Sequence, residues 1–204
     1  MKLAIEGMDG VGKTTIAKRI AEENGLIYID KPLHYFFEDS AEEGYRDLMQ
    51  LANRIYDVKD PVVRSWFFGL GNLFCFRNFQ HENFIVDRHF VSNYFWNGDE
   101  QSDKVFESMI NIIGVPDLTI ILYASPKVRM ERLKKRNPND KDINDPEKQV
   151  NGYDKMLGFL HKFNIPYIFV DTENKAIEEI VSELNDAISQ LHLTDKPFVK
   201  KLEI

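Results

Sequence analysis

Gly7-Met8-Asp9-Gly10-Val11-Gly12-Lys13-Thr14-Thr15 is the stretch that decides the fold. It follows the pattern G-x-x-x-x-G-K-[ST], with Gly7, Gly12, Lys13 and Thr14 at the fixed positions. Leu3-Ala4-Ile5 before it has strand character, and residues 15–21 after it carry apolar side chains at helical spacing. A glycine-rich turn between strand and helix lets successive backbone N–H groups converge on a phosphate chain, beside the positive end of the helix. Gly7, Asp9, Gly10, Val11, Gly12, Lys13, Thr14 and Thr15 are the expected cradle. Lys13, read as an exposed and mobile side chain, brings positive charge to the outer phosphates, and Thr14 offers its hydroxyl to Mg2+. With these flanks the chain is expected to bind a nucleoside triphosphate.

Composition narrows the class. The chain has 204 residues, enough for one domain with a substantial core. Its 43% hydrophobic and 29% charged residues are ordinary for a globular protein. A net charge of -7 argues against broad binding to nucleic acid or to anionic membranes, so anionic ligands must be held by local Lys and Arg. Cys75, the single cysteine, lies in the apolar run Leu73-Phe74-Cys75-Phe76 and reads as a buried small hydrophobe. The histidines are scattered, without metal-ligand spacing. A first strand near Lys2 leaves no room for a cleaved signal peptide, and the longest apolar runs are too short to span a bilayer. The expectation is a cytoplasmic protein with small-molecule partners.

Short apolar runs recur at residues 3–5, 26–29, 84–86, 118–123 and 167–170, which suggests strands buried on both faces of a parallel sheet. Candidate helices lie between and after them, near 14–23, 41–58, 61–80, 101–113, 126–136, 147–163 and 175–190. Pro61 and Pro126 suit first turns, where a missing N–H costs little. This alternation predicts an α/β fold in three layers. Its mostly parallel five-stranded sheet carries the glycine-rich loop at the carboxyl edge, within a single domain over 1–204. Residues 134–148, polar and flanked by Pro138 and Pro146, read as a solvated loop or as a lid. Residues 194–204 read as a tail that docks through Phe198 and Val199.

Ile85-Val86-Asp87-Arg88 places an acid and then an arginine at a strand end that faces the same edge as the loop. Asp87 is a candidate metal ligand and Arg88 a candidate for gripping an acceptor phosphate. The plain alternative is a strand-end salt bridge. The wider context resembles the thymidylate kinase family of phosphate-loop nucleoside monophosphate kinases. That family's loop reads E-G-x-D-G-x-G-K-[ST]-T, against Glu6 to Thr15 here. Its second motif, D-R-Y-x-x-S-x-x-A-Y-Q-G, matches at Asp87, Arg88, Ser92 and Gly98, with His89, Trp96 and Asn97 as substitutions. Pro116-Asp117-Leu118, and Ser125-Pro126 leading to Arg132 and Arg136, resemble further family features.

The resemblance implies ATP as phosphoryl donor, Mg2+ as cofactor and a nucleotide acceptor. It implies Lys13 on the donor phosphates and Asp9 near the acceptor sugar. Arg88 falls on the acceptor phosphate, with Ser92 and Asn97 in the acceptor site. Arg132 and Arg136 fall on the transferring group, Arg129 and Arg77 being weaker candidates. Such catalysis is mainly positioning and electrostatic stabilisation, yet a basic helix is often only a solvated face.

Two departures bear on the acceptor. Aligned on Pro32, Asp30 stands where the family has an arginine; Lys31 serves in its place, or the acceptor differs. Related deoxynucleoside kinases carry a carboxylate base near this point, one position from Asp30. Asn97 replaces a glutamine near the base. The leading expectation is therefore phosphoryl transfer from ATP to a nucleoside monophosphate, with dTMP foremost. A deoxynucleoside kinase is the rival, and a nucleotide-dependent switch is a third class. Asn174-Lys175-Ala176-Ile177 lacks the aspartate of a guanine-reading switch. Residues 66–74, rich in aromatics, read as a mostly buried helix, part of which becomes a homodimer interface if the family's habit applies.

Overall fold

β1 (Lys2–Glu6) runs into α1 (Lys13–Asn24), followed by β2 (Ile27–Ile29), α2 (Glu42–Tyr56), α3 (Pro61–Asn78) and β3 (Phe84–Asp87). Then come α4 (Phe90–Asn97), α5 (Asp103–Ile113), β4 (Leu118–Tyr123), α6 (Pro126–Arg136), α7 (Tyr153–Lys162), β5 (Tyr167–Asp171), α8 (Ile177–Leu191) and β6 (Val199–Lys200). The structure, a computed structural model, describes residues 1–33, 42–139, 143, 152–191 and 199–200. The strands pair in the order β2-β3-β1-β4-β5-β6, and every pairing is parallel. The five expected strands are all present. The two-residue β6 adds an edge beside β5, so Val199 docks as backbone; residues 194–198 and 201–204 lie outside the described residues.

A parallel sheet must be covered on both faces, and alternation along the strands shows how. Leu3, Ile5 and Ile85 share a core with Ile16 and Ile20 of α1. Ala4, Phe84 and Val86, pointing the other way, pack with Cys75 and Phe76 of α3. The free thiol of Cys75 is buried, as expected. This is the three-layer α/β architecture. Because Ile5 lies opposite Asp87 in the β1–β3 register, the ends of the two central strands open side by side. Ligand sites of such sheets lie outside these carboxyl ends.

Three expectations change. Residues 90–97 form α4, which no local pattern indicated; its N-terminal donors are satisfied from β1, as described below. On α3 the buried positions include the small Ser65, Gly69 and Gly71, while Trp66 and Leu70 are 39% and 48% exposed. The reason is close helix packing: a Cβ at Gly69 would lie 2.3 Å from the sulfur of Met109 on α5. Finally, α6 extends through Arg136, so the first residues of the 134–148 stretch are helical; 140–142 and 144–148 lie outside the described residues. Among the described residues no helix is long and apolar enough to cross a membrane.

Candidate active site

The loop after β1 is shaped by two close approaches. At Gly7 (φ 134°) a Cβ would sit 2.4 Å from the carbonyl oxygen of Leu122, and at Gly10 (φ 86°) 2.7 Å from that of Arg129. Both positions lie in the left-handed region, so a side chain there meets strain and backbone together. No side chain caps the N-terminus of α1. By contrast, Asp60 accepts from Val62 N at 2.8 Å and Val63 N at 3.3 Å at the start of α3. The first-turn donors of α1 are thus left for an anion.

Lys13 is buried rather than exposed. Its Nζ donates to Met8 O at 2.8 Å and lies 3.7 Å from Asp9 Oδ1. Burial first, then the charge of Arg88, lowers its pKa to about 8, with Asp9, Asp87 and Glu6 pulling upward. Arg88 has φ 77°, a strained backbone for a non-glycine residue. Its guanidinium pairs with Asp9 and donates to Ser92 Oγ at 3.1 Å. Its ion-pair partner is therefore Asp9, and not the adjacent Asp87. Burial opposes its charge, and the carboxylates of Asp9, Asp87 and Glu6 outweigh burial, holding its pKa above the ordinary value.

Glu6, fully buried at the end of β1, organises the neighbouring segment. It accepts from His89 N at 2.7 Å, from Ser92 N at 3.2 Å and from Ser92 Oγ. It does what an N-cap side chain would do for α4, whose own cap residue, His89, supplies no side-chain bond. Burial raises its pKa, against the bonds from Ser92 and His89. Ser92 therefore joins Glu6 to Arg88 from a buried position.

Thr14 Oγ1 donates to Asp87 Oδ2 at 2.7 Å, and the buried Asp87 Oδ1 has no partner among the described residues. A hydroxyl beside an unsatisfied carboxylate oxygen suits a hard divalent cation, so the donor set fits Mg2+. Tyr28 completes this corner. Its hydroxyl bonds Thr14 and lies 3.4 Å from Asp30 Oδ1, while burial, then Asp87 and Asp30, push its pKa up. Sequence reasoning passed over both Glu6 and Tyr28. A charged residue directly after the apolar run Leu3-Ala4-Ile5, at the last position of β1, was the available signal for Glu6; nothing local marks Tyr28.

The arginines of α6 separate. Arg129 is fully buried, with Nη1 3.4 Å from Asp9 O, directly against the loop. Arg132 donates to Thr172 Oγ1 at 2.9 Å and to Thr172 O at 2.5 Å. It borders a hollow lined also by Val11, Gly12, Thr15, Lys175 and Ile177. Arg136 is exposed at the helix end, and Lys31 and Arg77 are exposed as well. Thr15 is exposed next to Thr14. Asn97 is buried at the end of α4, with Nδ2 on Asn93 Oδ1 at 3.2 Å. The site thus brings together the loop, Asp9, Lys13, Thr14, Asp87 and Arg88, and Arg132 borders the loop across the hollow beside Val11 and Gly12.

A family model described as an AAA domain matches residues 3–152. A probable thymidylate kinase of Metallosphaera sedula is 31% identical over 171 residues, spanning 79% of this chain and 80% of its own. Another from Picrophilus torridus is 28% identical, covering 91% and 96%. A cytidylate kinase of Fervidobacterium nodosum is 26% identical, covering 93% and 96%. Among solved structures, a deoxyadenosine kinase from M. mycoides with bound dCMP and dCDP superposes with a TM-score of 0.63 at 17% identity. It covers 93% of this chain and 100% of its own, a likeness of fold. With its loop, its Asp87-Arg88 strand end and these relatives, the chain belongs to the thymidylate kinase family of phosphate-loop kinases, enzymes of nucleotide or nucleoside phosphorylation.

Proposed function

We propose that the protein transfers the γ-phosphoryl group of ATP to a nucleoside monophosphate, dTMP foremost. The observation that carries this is Arg88. It is held at a strained backbone position by Asp9 and Ser92, within the charge field of Lys13 and Asp87. A guanidinium fixed there by flanking acceptors is pre-organised for the phosphate of an acceptor. In this reading Lys13 and the loop N–H groups hold the donor phosphates, and Thr14 and Asp87 hold Mg2+, which neutralises donor charge when bound. Asp9 orients Arg88 and borders the acceptor sugar, and Asn97 reads the acceptor base. Arg132 serves the donor base, because it lines the hollow beside Thr15 and Lys175. Arg136 closes on the transferring group only if the lid brings it in. Arg129, pressed against Asp9 and Gly10, takes the inner position. The acceptor phosphate is already ionised and needs no general base; positioning and charge stabilisation supply the rate.

One observation favours a second reading. Asp30 lies at the end of β2 within reach of Tyr28, on the same edge, where a carboxylate base would serve a nucleoside 5′-hydroxyl. A paired substitution separates the two. For a monophosphate kinase, Arg88→Ala sharply raises the acceptor KM, and Asp30→Asn costs little. For a nucleoside kinase, Asp30→Asn costs about 10²–10⁴ in kcat. The assay is coupled ADP release over all nucleosides and monophosphates. Robust turnover of thymidine with none of dTMP overturns the first reading.

A further inference from the structure

The turn from Gly152 to Lys155, at the start of α7, touches both sides of the site. A Cβ at Gly152 would lie 2.3 Å from the Phe95 ring and 3.2 Å from the sulfur of Met8. The Tyr153 hydroxyl donates to Leu122 O at 2.8 Å and accepts from Met8 N, in the phosphate loop, at 3.4 Å. Lys155 crosses to the acceptor side. Its Nζ donates to Phe95 O at 2.8 Å and to Gly98 O at 2.7 Å, passing over the Tyr94 and Phe95 rings.

Those two carbonyls bracket Asn97, at the C-terminal end of α4. A helix end leaves carbonyls without intrahelical partners and carries partial negative charge. α1 meets this need with a left-handed cap at Gly25, which bonds Ala21 O. α4 ends differently: its cap residue Gly98 is extended, at φ -105° and ψ 164°, and its N–H bonds Tyr94 O, which leaves the Phe95 and Gly98 carbonyls to other donors. A lysine from another helix takes over, and it does so around the one side chain proposed to read the acceptor base. Asn97 Oδ1 is buried and has no partner among the described residues. Its direction is fixed by its bond to Asn93 and by the backbone that Lys155 holds.

We propose that Lys155 is a positioning residue for acceptor recognition: by clamping the carbonyls of Phe95 and Gly98 it sets where Asn97 presents its amide, and so which base is preferred. This rests on the reading of Asn97 as the base-reading residue. The Asp99 carboxylate and the Arg64 guanidinium also act on Lys155, so the test compares a neutral and a charged replacement rather than pH.

Lys155→Met and Lys155→Arg are assayed with ATP against the preferred acceptor and its counterparts with other bases, and melting temperatures are recorded. In Lys155→Met the acceptor KM rises about tenfold, the scale of a lost charge-assisted bond pair. The preference between bases narrows, while KM for ATP stays within about twofold. In Lys155→Arg, which keeps the charge and can reach both carbonyls, the preference recovers. A melting temperature that falls with base preference unchanged makes Lys155 a cap and nothing more, and overturns the proposal. So does an unchanged acceptor KM. A wild-type enzyme that uses nucleosides instead refutes the monophosphate reading alone; the same preference ratio, taken among nucleosides, then decides on Lys155.

Discussion

Lys13 sits inside its loop, bonded to Met8 O, and burial with the neighbouring Arg88 brings its pKa down to about 8. Only the protonated form carries charge to the donor phosphates. Because kcat/KM reports the free enzyme, kcat/KM for ATP should hold below about pH 8 and fall about tenfold per pH unit above it. Lys13→Arg, charged throughout, should start lower and lack this descent. Initial-rate profiles from pH 6 to 9.5 check it, and a wild-type value flat to pH 9.5 contradicts it. His89 raises a different acid-base question. It stacks on Phe76 and Phe90 with centroids 4.3 and 4.0 Å away, and burial lowers its pKa to about 3. The unfolded imidazole takes a proton near its ordinary 6.5 while the folded one stays neutral. The folded state therefore keeps this contribution in full above about pH 6.5 and loses it as pH falls toward about 3. Between pH 7 and 4.5 the loss should reach about 2–3 kcal/mol. In His89→Phe that share of the pH dependence should vanish in urea unfolding. Glu6, raised by burial, acts in the opposite sense on acidification, and the paired comparison cancels it.

At the scale of elements, α4 depends on β1. The helix begins without a capping side chain of its own, and Glu6 supplies acceptors for two backbone donors and one hydroxyl. Glu6→Gln keeps the shape, but it removes the charge and turns an amide toward donors. A buried, unsatisfied polar contact of this kind costs about 1–3 kcal/mol. Chemical denaturation of the variant should show a loss in that range, and amide exchange at Ser92 and Asn93 should accelerate more than at β3. A loss under about 0.5 kcal/mol, the size of an ordinary surface change, would contradict this role. The same logic explains why local pattern missed α4: its eight residues, FVSNYFWN, hold aromatic and β-branched side chains and no cap signal. Its helicity is a tertiary result.

For the whole molecule, a net charge of -7 coexists with a site that concentrates Lys13, Arg88 and Arg129 around one loop. Binding at that site should report on the entire fold, because the loop joins the central strand to α1. A non-hydrolysable ATP analogue at about 100 times its dissociation constant should add about 2.7 kcal/mol to the unfolding free energy. For a chain of this size that is about 5–10 °C in melting temperature. Lys13→Ala should fold and lose most of the shift, as read by differential scanning fluorimetry.

The local signals in this chain were enough for the nucleotide loop, the five principal strands and the strand-end pair Asp87-Arg88. Each is a short-range code: glycines where φ must be positive, continuous apolar runs where both faces are buried, an acid where a strand ends. The tertiary structure alone decided the rest. β3 inserts between β1 and β2, which places Asp87 opposite Ile5 across a long loop. Arg129 and Arg132, three residues apart on α6, meet different partners, Asp9 and Thr172, because loops from distant strands flank that helix. Lys13 is buried because Met8, Asp9 and Arg88 surround it, and Tyr28 reaches Thr14 only once β2 has joined the sheet. Backbone propensity and periodicity act over a few residues. Burial, ion pairing and pKa depend on neighbours that only the folded sheet brings within contact distance.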